Sequence, residues 1–204
     1  LVGGVFDADY EKSREFAAKE GIPSDRCYEN VELMIKSEQT MPKGERIESV
    51  SIVTPNYLHF PFASLLLKNG FHVMCEKPMT MTVDEAVELE RLVKETKLTF
   101  ALTHTYTGYP MVRQMREMIK SGAIGNIQRI DAQYYQGWVN SIIHGSESRI
   151  TGVWRFDPKQ SGVSSCMGDI GVHAFNLIEY TTGLEIKQVL SDLNPVKEGF
   201  KLDL

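Results

Sequence analysis

Short apolar runs and helical apolar stripes alternate along the first hundred residues, with polar stops between them. "LVGGVF", residues 1–6, is an apolar run that ends on Asp7. "IESVSIVTPN" carries a second run, Val50 to Thr54, ended by Pro55. "FHVMCEKP" is a third, closed by the charged pair Glu76-Lys77 and by Pro78, and "LTFALTH" is a fourth. Runs of this length with such boundaries predict strands. The segments between them predict helices. One has Phe16, Ala17 and Ile22 as apolar positions and stops at Gly21; a polar segment that includes "KSEQTMPKGER" predicts a helix followed by a loop. "YLHFPFASLLLKNG" closes on Gly70, and "TVDEAVELERLVKETK" opens on a capping box, Thr82 with Glu85, with Val83, Ala86, Leu89 and Val93 as its apolar face.

Strands that alternate with helices predict a parallel sheet, so residues 1–106 read as a doubly wound α/β domain of Rossmann type. Ligands of such sheets bind at the carboxyl ends of the strands, a rim that here carries Asp7, Thr54-Pro55-Asn56, Glu76-Lys77-Pro78 and His104. After Thr107 the pattern changes. "MVRQMREMIKSGAIG" predicts an amphipathic helix with Met111, Met115, Met118 and Ile119 inward and a stop at Gly122. "IQRIDAQYYQGW" alternates with period two, Ile130, Ala132 and Tyr134 on one face, as an antiparallel strand wet on its other side does. Residues 107–204 therefore read as a second, α+β domain with a mostly antiparallel sheet.

With 204 residues, 42% of them hydrophobic and 24% charged, the chain has the material for a sizeable core and one or two domains. A net charge of -5 without basic runs argues against nucleic acid or an anionic membrane as partner and points to a small ligand. Cys27, Cys75 and Cys166 are odd in number, widely spaced and without a CxxC pair, which predicts neither a disulfide framework nor a zinc knuckle and fits a reducing, cytoplasmic setting. No apolar run approaches the roughly 20 residues of a membrane span.

Four sets of residues could carry chemistry. Asp7 stands at a strand end, either as an acceptor for ribose hydroxyls or as a turn and helix-cap residue. Lys77 is either a solvated strand end or a cation placed beside a ligand. In "CMGDIGVHAFNLIEYTTG", Asp169 and His173 are four apart and share a face if the helix starts by Asp169. That pair suits a base that takes a proton from an alcohol with a carboxylate to orient it, or else a helix cap and a core histidine. No third ligand accompanies them locally, so no metal site is predicted. Trp154 and Arg155 precede "DP" and a Ser-Gly loop, and taken alone they read as packing on the second-domain sheet.

Together these elements resemble the glucose-fructose oxidoreductase, inositol dehydrogenase and rhizopine catabolism family, Gfo/Idh/MocA. The resemblance is carried, in the family's order, by "FDAD" (6–9), "VSIVTPNYLH" (50–59), "GFHVMCEKPMTMTVDEA" (70–86), "GYPMVRQMREMIKSGAIGNI" (108–127) and "WRFDPKQSGVSSCMGDIGVHAFNLIEYTTG" (154–183). It implies a nicotinamide cofactor, NAD rather than NADP because Asp7 would face a 2'-phosphate. It also implies that Lys77, His173 and Asp169 are catalytic. Asp7, Thr54, Pro55, Asn56, His59, Glu76 and Lys77 would line the cofactor. Lys77, His104, Trp154, Arg155, Asp169 and His173 would line a sugar or polyol substrate. A homo-oligomer built through the second-domain sheet is implied as well.

The sequence departs from the family in three places. The glycine-rich turn after the family's first strand is missing, since "LVGG" leads directly to the ribose acid. Thr107 stands where arginine is common, and Val163 to Ser165 hold fewer glycines. The first departure implies a piece of a longer protein that lacks a leading strand and helix, and the other end, "SDLNPVKEGFKLDL", agrees in stopping before much of the second-domain sheet; alone the chain is expected to bind NAD weakly or not at all and to be aggregation-prone or partly unfolded. The expected activity is NAD(P)-dependent oxidation of a sugar, polyol or related cyclic alcohol. Two alternatives are a glycoside hydrolase that regenerates its NAD and a cofactor-binding protein without catalysis.

Overall fold

The computed structural model of the chain describes residues 1–143, 153–195 and 203. In chain order the helices are α1 (Tyr10–Lys19), α2 (Val31–Glu38), α3 (His59–Lys68), α4 (Val83–Thr96), α5 (Pro110–Lys120), α6 (Trp138–Ile143), α7 (Pro158–Ser161) and α8 (Val172–Thr182). The strands are β1 (Ser49–Ile52), β2 (His72–Glu76) and β3 (Phe100–Thr103), arranged in the order β1-β2-β3. β1 and β2 run parallel, with Ser49 opposite His72 and Ile52 opposite Cys75. The expected parallel sheet with intervening helices is present.

The chain divides into two compact units, one of residues 1–52, 60–75 and 87–101, the other of residues 53–59, 76–86 and 102–204. In the first unit, α1 starts on Asp9, whose carboxylate accepts the Glu11 and Lys12 amides, and α2 starts on Asn30, which accepts the Leu33 amide at 2.8 Å. Side-chain acceptors here satisfy donors that no helical carbonyl can reach. Ala63, Leu66, Leu67 and Phe71 are each 1% exposed and Cys75 0%, so α3 and β2 supply the densest apolar packing. The predicted stops hold: Gly21, Gly70 and Gly122 take φ of +71°, +87° and +75°, which L residues with a Cβ resist.

A polar anchor crosses this core. Glu38 is 0% exposed and receives Arg26 Nη2 at 2.7 Å, the Tyr28 hydroxyl at 2.6 Å and the Ile47 amide at 2.6 Å. Burial alone would raise the Glu38 carboxyl, but these bonds outweigh it and hold the group below the usual carboxylate range.

Four expectations change. The strand over residues 1–6 is reduced to one parallel bridge, Gly4 with Cys27, while Leu1 and Val2 are exposed. A Cβ on Gly3 would meet the Arg26 carbonyl oxygen at 2.7 Å, so the backbones approach closely only because residue 3 is glycine. α4 carries its capping box, the Glu85 amide donating to Thr82 Oγ1 at 3.2 Å and the Thr82 amide to Glu85 Oε2 at 3.2 Å. Its buried positions are Leu89 and Leu92, however, while Val83 is 79% exposed. Val83 occupies the first turn of α4, and burial begins further along the helix. α5 packs against α8, with the Arg116 guanidinium 4.3 Å from the Tyr180 ring centre, yet Met111, Met115 and Met118 are exposed. Among the described residues no further element covers that flank.

Residues 127–137 form no strand ladder, and Ile130, Ala132 and Tyr134 are exposed. Alternation selects a face, but a strand also needs a partner backbone, and no strand follows β3 among the described residues. The end of the expected second-domain sheet, in "SDLNPVKEGFKLDL", falls partly on residues 196–202 and 204, outside the described residues.

Candidate active site

All the geometry of the candidate site lies within the second unit. β2 delivers Lys77 at its carboxyl end, and the peptide that joins Lys77 to Pro78 is cis. Lys77 Nζ donates to Asp169 Oδ1 at 2.6 Å and to the Asp169 backbone oxygen at 2.7 Å. The two side chains are 14% and 20% exposed. The other Asp169 oxygen lies 3.5 Å from Arg155 Nε. Arg155 in turn stacks on Trp154, 4.4 Å from its ring centre, and stands 5.9 Å from that of Trp138. One carboxylate thus pairs with two cations, a charge-assisted arrangement that orients all three groups and leaves the trio with a net positive charge.

Asp169 belongs to a π-type turn, Met167–Gly171, that runs into α8. The wider turn alters the i, i+4 alignment that the spacing suggested. Asp169 engages Lys77 and Arg155, while His173 meets the edge of Tyr106, ring centres 4.7 Å apart, and His104 at 6.3 Å. Even so, Asp169, His173, Lys77 and Arg155 line a single cavity of about 400 Å³, together with Tyr106, Tyr134, Gln136, Trp138 and Ile170.

Burial is the first reason that the His173 ring titrates below its ordinary range, followed by the charges of Lys77 and His104; Asp169 and Glu76 oppose the shift without cancelling it. His104 is lowered for the same leading reason, then by Lys77, against Glu76. The Tyr106 phenol hydrogen bonds with Tyr134 and is pushed up to about 12, mainly by that bond. The site therefore offers a neutral imidazole beside an ammonium group at neutral pH.

The other candidate residues divide by what they touch. Thr54 Oγ1 and His104 Nδ1 are buried and have no hydrogen-bond partner among the described residues. Pro55 precedes the short 3₁₀ turn Asn56–Leu58 and accepts the Leu58 amide. Asn56 is buried and spends its amide on the Ser161 oxygen at 2.9 Å. His59 is 1% exposed, with Nδ1 2.7 Å from the Pro78 oxygen and Nε2 2.9 Å from the Thr54 oxygen. Glu76 is half-buried and acts on both histidines through its charge. Trp154 lies under Arg155. Asp7, in the other unit, is exposed and accepts the Asp9 amide at 2.8 Å, as a turn residue does.

Sequence reasoning missed Tyr106, Gln136 and Trp138 as cavity walls, and it read Tyr134 only as a strand residue. The signal was present: 134, 136 and 138 have the period-two spacing that puts side chains on one side of an extended chain. Asp203 was missed for a different reason. Its carboxylate accepts the Ser165 and Met167 amides, both at 2.8 Å, and the Ser164 hydroxyl at 3.0 Å, so it ties down the segment that leads to Asp169 from a distant part of the chain. Among the described residues no three His, Cys, Asp or Glu side chains converge as a metal site requires.

Two family models match the chain in succession. Residues 1–104 match the oxidoreductase family with an NAD-binding Rossmann fold, and residues 112–203 match the GFO/IDH/MocA C-terminal domain. The chain belongs to the GFO/IDH/MocA oxidoreductase family. It is 34% identical to the oxidoreductase YfiI of Bacillus subtilis over 94% of this chain and 48% of that protein. It is 31% identical to the levoglucosan dehydrogenase of Pseudarthrobacter phenanthrenivorans over 67% of this chain and 33% of that one. The crystal structure of an inositol dehydrogenase homologue from Azotobacter vinelandii, complexed with NAD+, superposes with a TM-score of 0.83 at 33% identity, covering 90% of this chain and 46% of the other. The chain spans about half the length of the curated relatives it matches. Membership agrees with the motif order of the sequence and with the parallel sheet. Among the described residues no helix is long and apolar enough to cross a membrane.

Proposed function

We propose that the natural full-length protein oxidises a secondary alcohol of a sugar, polyol or related cyclic substrate with a nicotinamide cofactor. The observation that carries this reading is the Lys77-Asp169 pair in one cavity with a His173 that burial and Lys77 keep neutral. A nicotinamide held beside Lys77 would supply the acceptor for the hydride of the carbinol carbon. Lys77 Nζ stabilises the negative charge that grows on the carbinol oxygen as the hydride leaves. His173 accepts the hydroxyl proton, so the products are a carbonyl, a reduced cofactor and a protonated imidazole. Asp169 holds Lys77 in place through two acceptors, and its second carboxylate oxygen draws in Arg155. Tyr106, Tyr134 and Trp138 give the cavity apolar walls that suit the C–H faces of a ring. Thr54, whose hydroxyl is buried and has no partner among the described residues, and Glu76 would face the cofactor beside Lys77. The family resemblance of Asp7, an exposed carboxylate, supports NAD over NADP, because a carboxylate at that position would repel a 2'-phosphate.

A panel of cyclic polyols and aldoses incubated with NAD+ and followed at the NADH absorbance tests this reading. Net NADH formation with one class of substrate is expected; cleavage of a glycosidic bond without net NADH would replace the proposal with a hydrolase.

The pH dependence follows from His173. A base must be neutral to take a proton, so kcat/KM should rise with pH through a midpoint below the ordinary imidazole value of about 6.5 and then level off. His173→Asn should abolish that acid limb and leave a low, flat rate. An unaltered profile would move the base elsewhere.

A further inference from the structure

His59 opens α3 and is 1% exposed, with Nδ1 2.7 Å from the Pro78 oxygen and Nε2 2.9 Å from the Thr54 oxygen. Both ring nitrogens face backbone carbonyls, so neither is free to hydrogen bond a cofactor. A neutral imidazole donates to one of these carbonyls at a time and an imidazolium donates to both. The two carbonyls belong to the two turns that frame the site. One is that of Thr54, whose own hydroxyl is buried and has no partner among the described residues. The other follows Lys77 directly in the chain, and Lys77 must reach both Asp169 acceptors at 2.6 and 2.7 Å.

We propose that His59 is a positioning residue for Lys77: it clamps the Thr54 turn to the Lys77-Pro78 turn and so sets where the ammonium group stands. A side chain that only filled space at this position would not need both nitrogens on carbonyl oxygens. Hydride transfer tolerates little displacement, since a shift of about 1 Å can cost roughly a hundredfold in rate. The proposal rests on the reading of Lys77 as the charge stabiliser, and a readout without turnover separates the two.

The experiment uses the natural full-length protein, its His59→Ala and His59→Gln variants, and reductive methylation of lysines followed by peptide mass analysis. Lys94, whose side chain is 70% exposed, serves as the reference. In His59→Ala, labelling of Lys77 relative to Lys94 should rise severalfold. Turnover should fall by about tenfold to a hundredfold, while the Kd for NAD+ stays within about twofold. His59→Gln, which restores one donated bond, should recover part of both changes, and it carries the test alone if the alanine variant does not fold. Unchanged Lys77 labelling in the variants overturns the proposal. So does a loss of NAD+ affinity as large as the loss of turnover, which would make His59 a cofactor contact. Absence of dehydrogenase activity in the parent would count against the proposed function only, because the labelling still decides the role of His59.

Discussion

Lys77→Ala should lower the turnover of the full-length enzyme by at least about a hundredfold and leave cofactor affinity nearly unchanged. Removal of one preorganised charge from a developing oxyanion typically costs about 3 kcal/mol, and 1.4 kcal/mol corresponds to about tenfold in rate. Lys77 qualifies because its ammonium group is held by two acceptors on Asp169 at 2.6 and 2.7 Å and is largely shielded from water. A second cost adds to the first. Without Lys77, the Asp169 carboxylate loses its nearer cation and keeps only Arg155 at 3.5 Å. His173 also loses one of the charges that hold its titration down, so its acid midpoint should rise toward the ordinary value in the variant. Steady-state kinetics across pH and an NAD+ titration check both effects. Turnover close to that of the parent would reject the assignment of Lys77.

The largest expected loss of stability lies in the other unit. Glu38→Ala should destabilise the fold by about 3–5 kcal/mol, the usual consequence of removing one partner of a buried pair. The carboxylate takes bonds from Arg26, Tyr28 and the Ile47 amide, and a methyl group would leave all three donors facing a void. Against a total of roughly 5–15 kcal/mol for a domain, such a change leaves little margin. The same anchor sets a pH dependence. The folded Glu38 titrates below its ordinary value, so its contribution is present above the unfolded value, about 4.3, and is lost as pH falls through the folded one. Urea unfolding followed by circular dichroism checks both: a loss under about 1 kcal/mol would mean that the donors find other partners.

The residues that carry the proposed chemistry were legible because they sit at punctuation points of the chain. Lys77 stands between a strand and a proline, Asp169 and His173 open a helix, and the Thr82-Glu85 box and the glycine stops mark where helices start and end. These signals are local, decided by groups within a few residues of each other, so the chain's own order contains them. The parallel sheet was legible for a related reason: strands and helices that alternate can be connected in few ways.

What only the tertiary structure decided is how groups far apart in the chain share their partners. The spacing of Asp169 and His173 suggested that one orients the other, but the Asp169 carboxylate goes to Lys77, 92 positions away, and the π-type turn shifts its alignment with His173. His59 matched a motif read as cofactor-lining, yet its ring nitrogens lie 2.9 and 2.7 Å from the Thr54 and Pro78 oxygens. Asp203 reaches the segment before Asp169 from 36 to 39 positions away. Nor could the period-two rhythm of residues 127–138 or the methionine stripe of α5 be read to the end, because each states which face is apolar and neither states what will cover it. Each of these outcomes is a competition between local and distant hydrogen-bond partners or packing surfaces. Such a competition is settled only when turns fix which backbone oxygens, carboxylates and rings come within about 3–4 Å of one another.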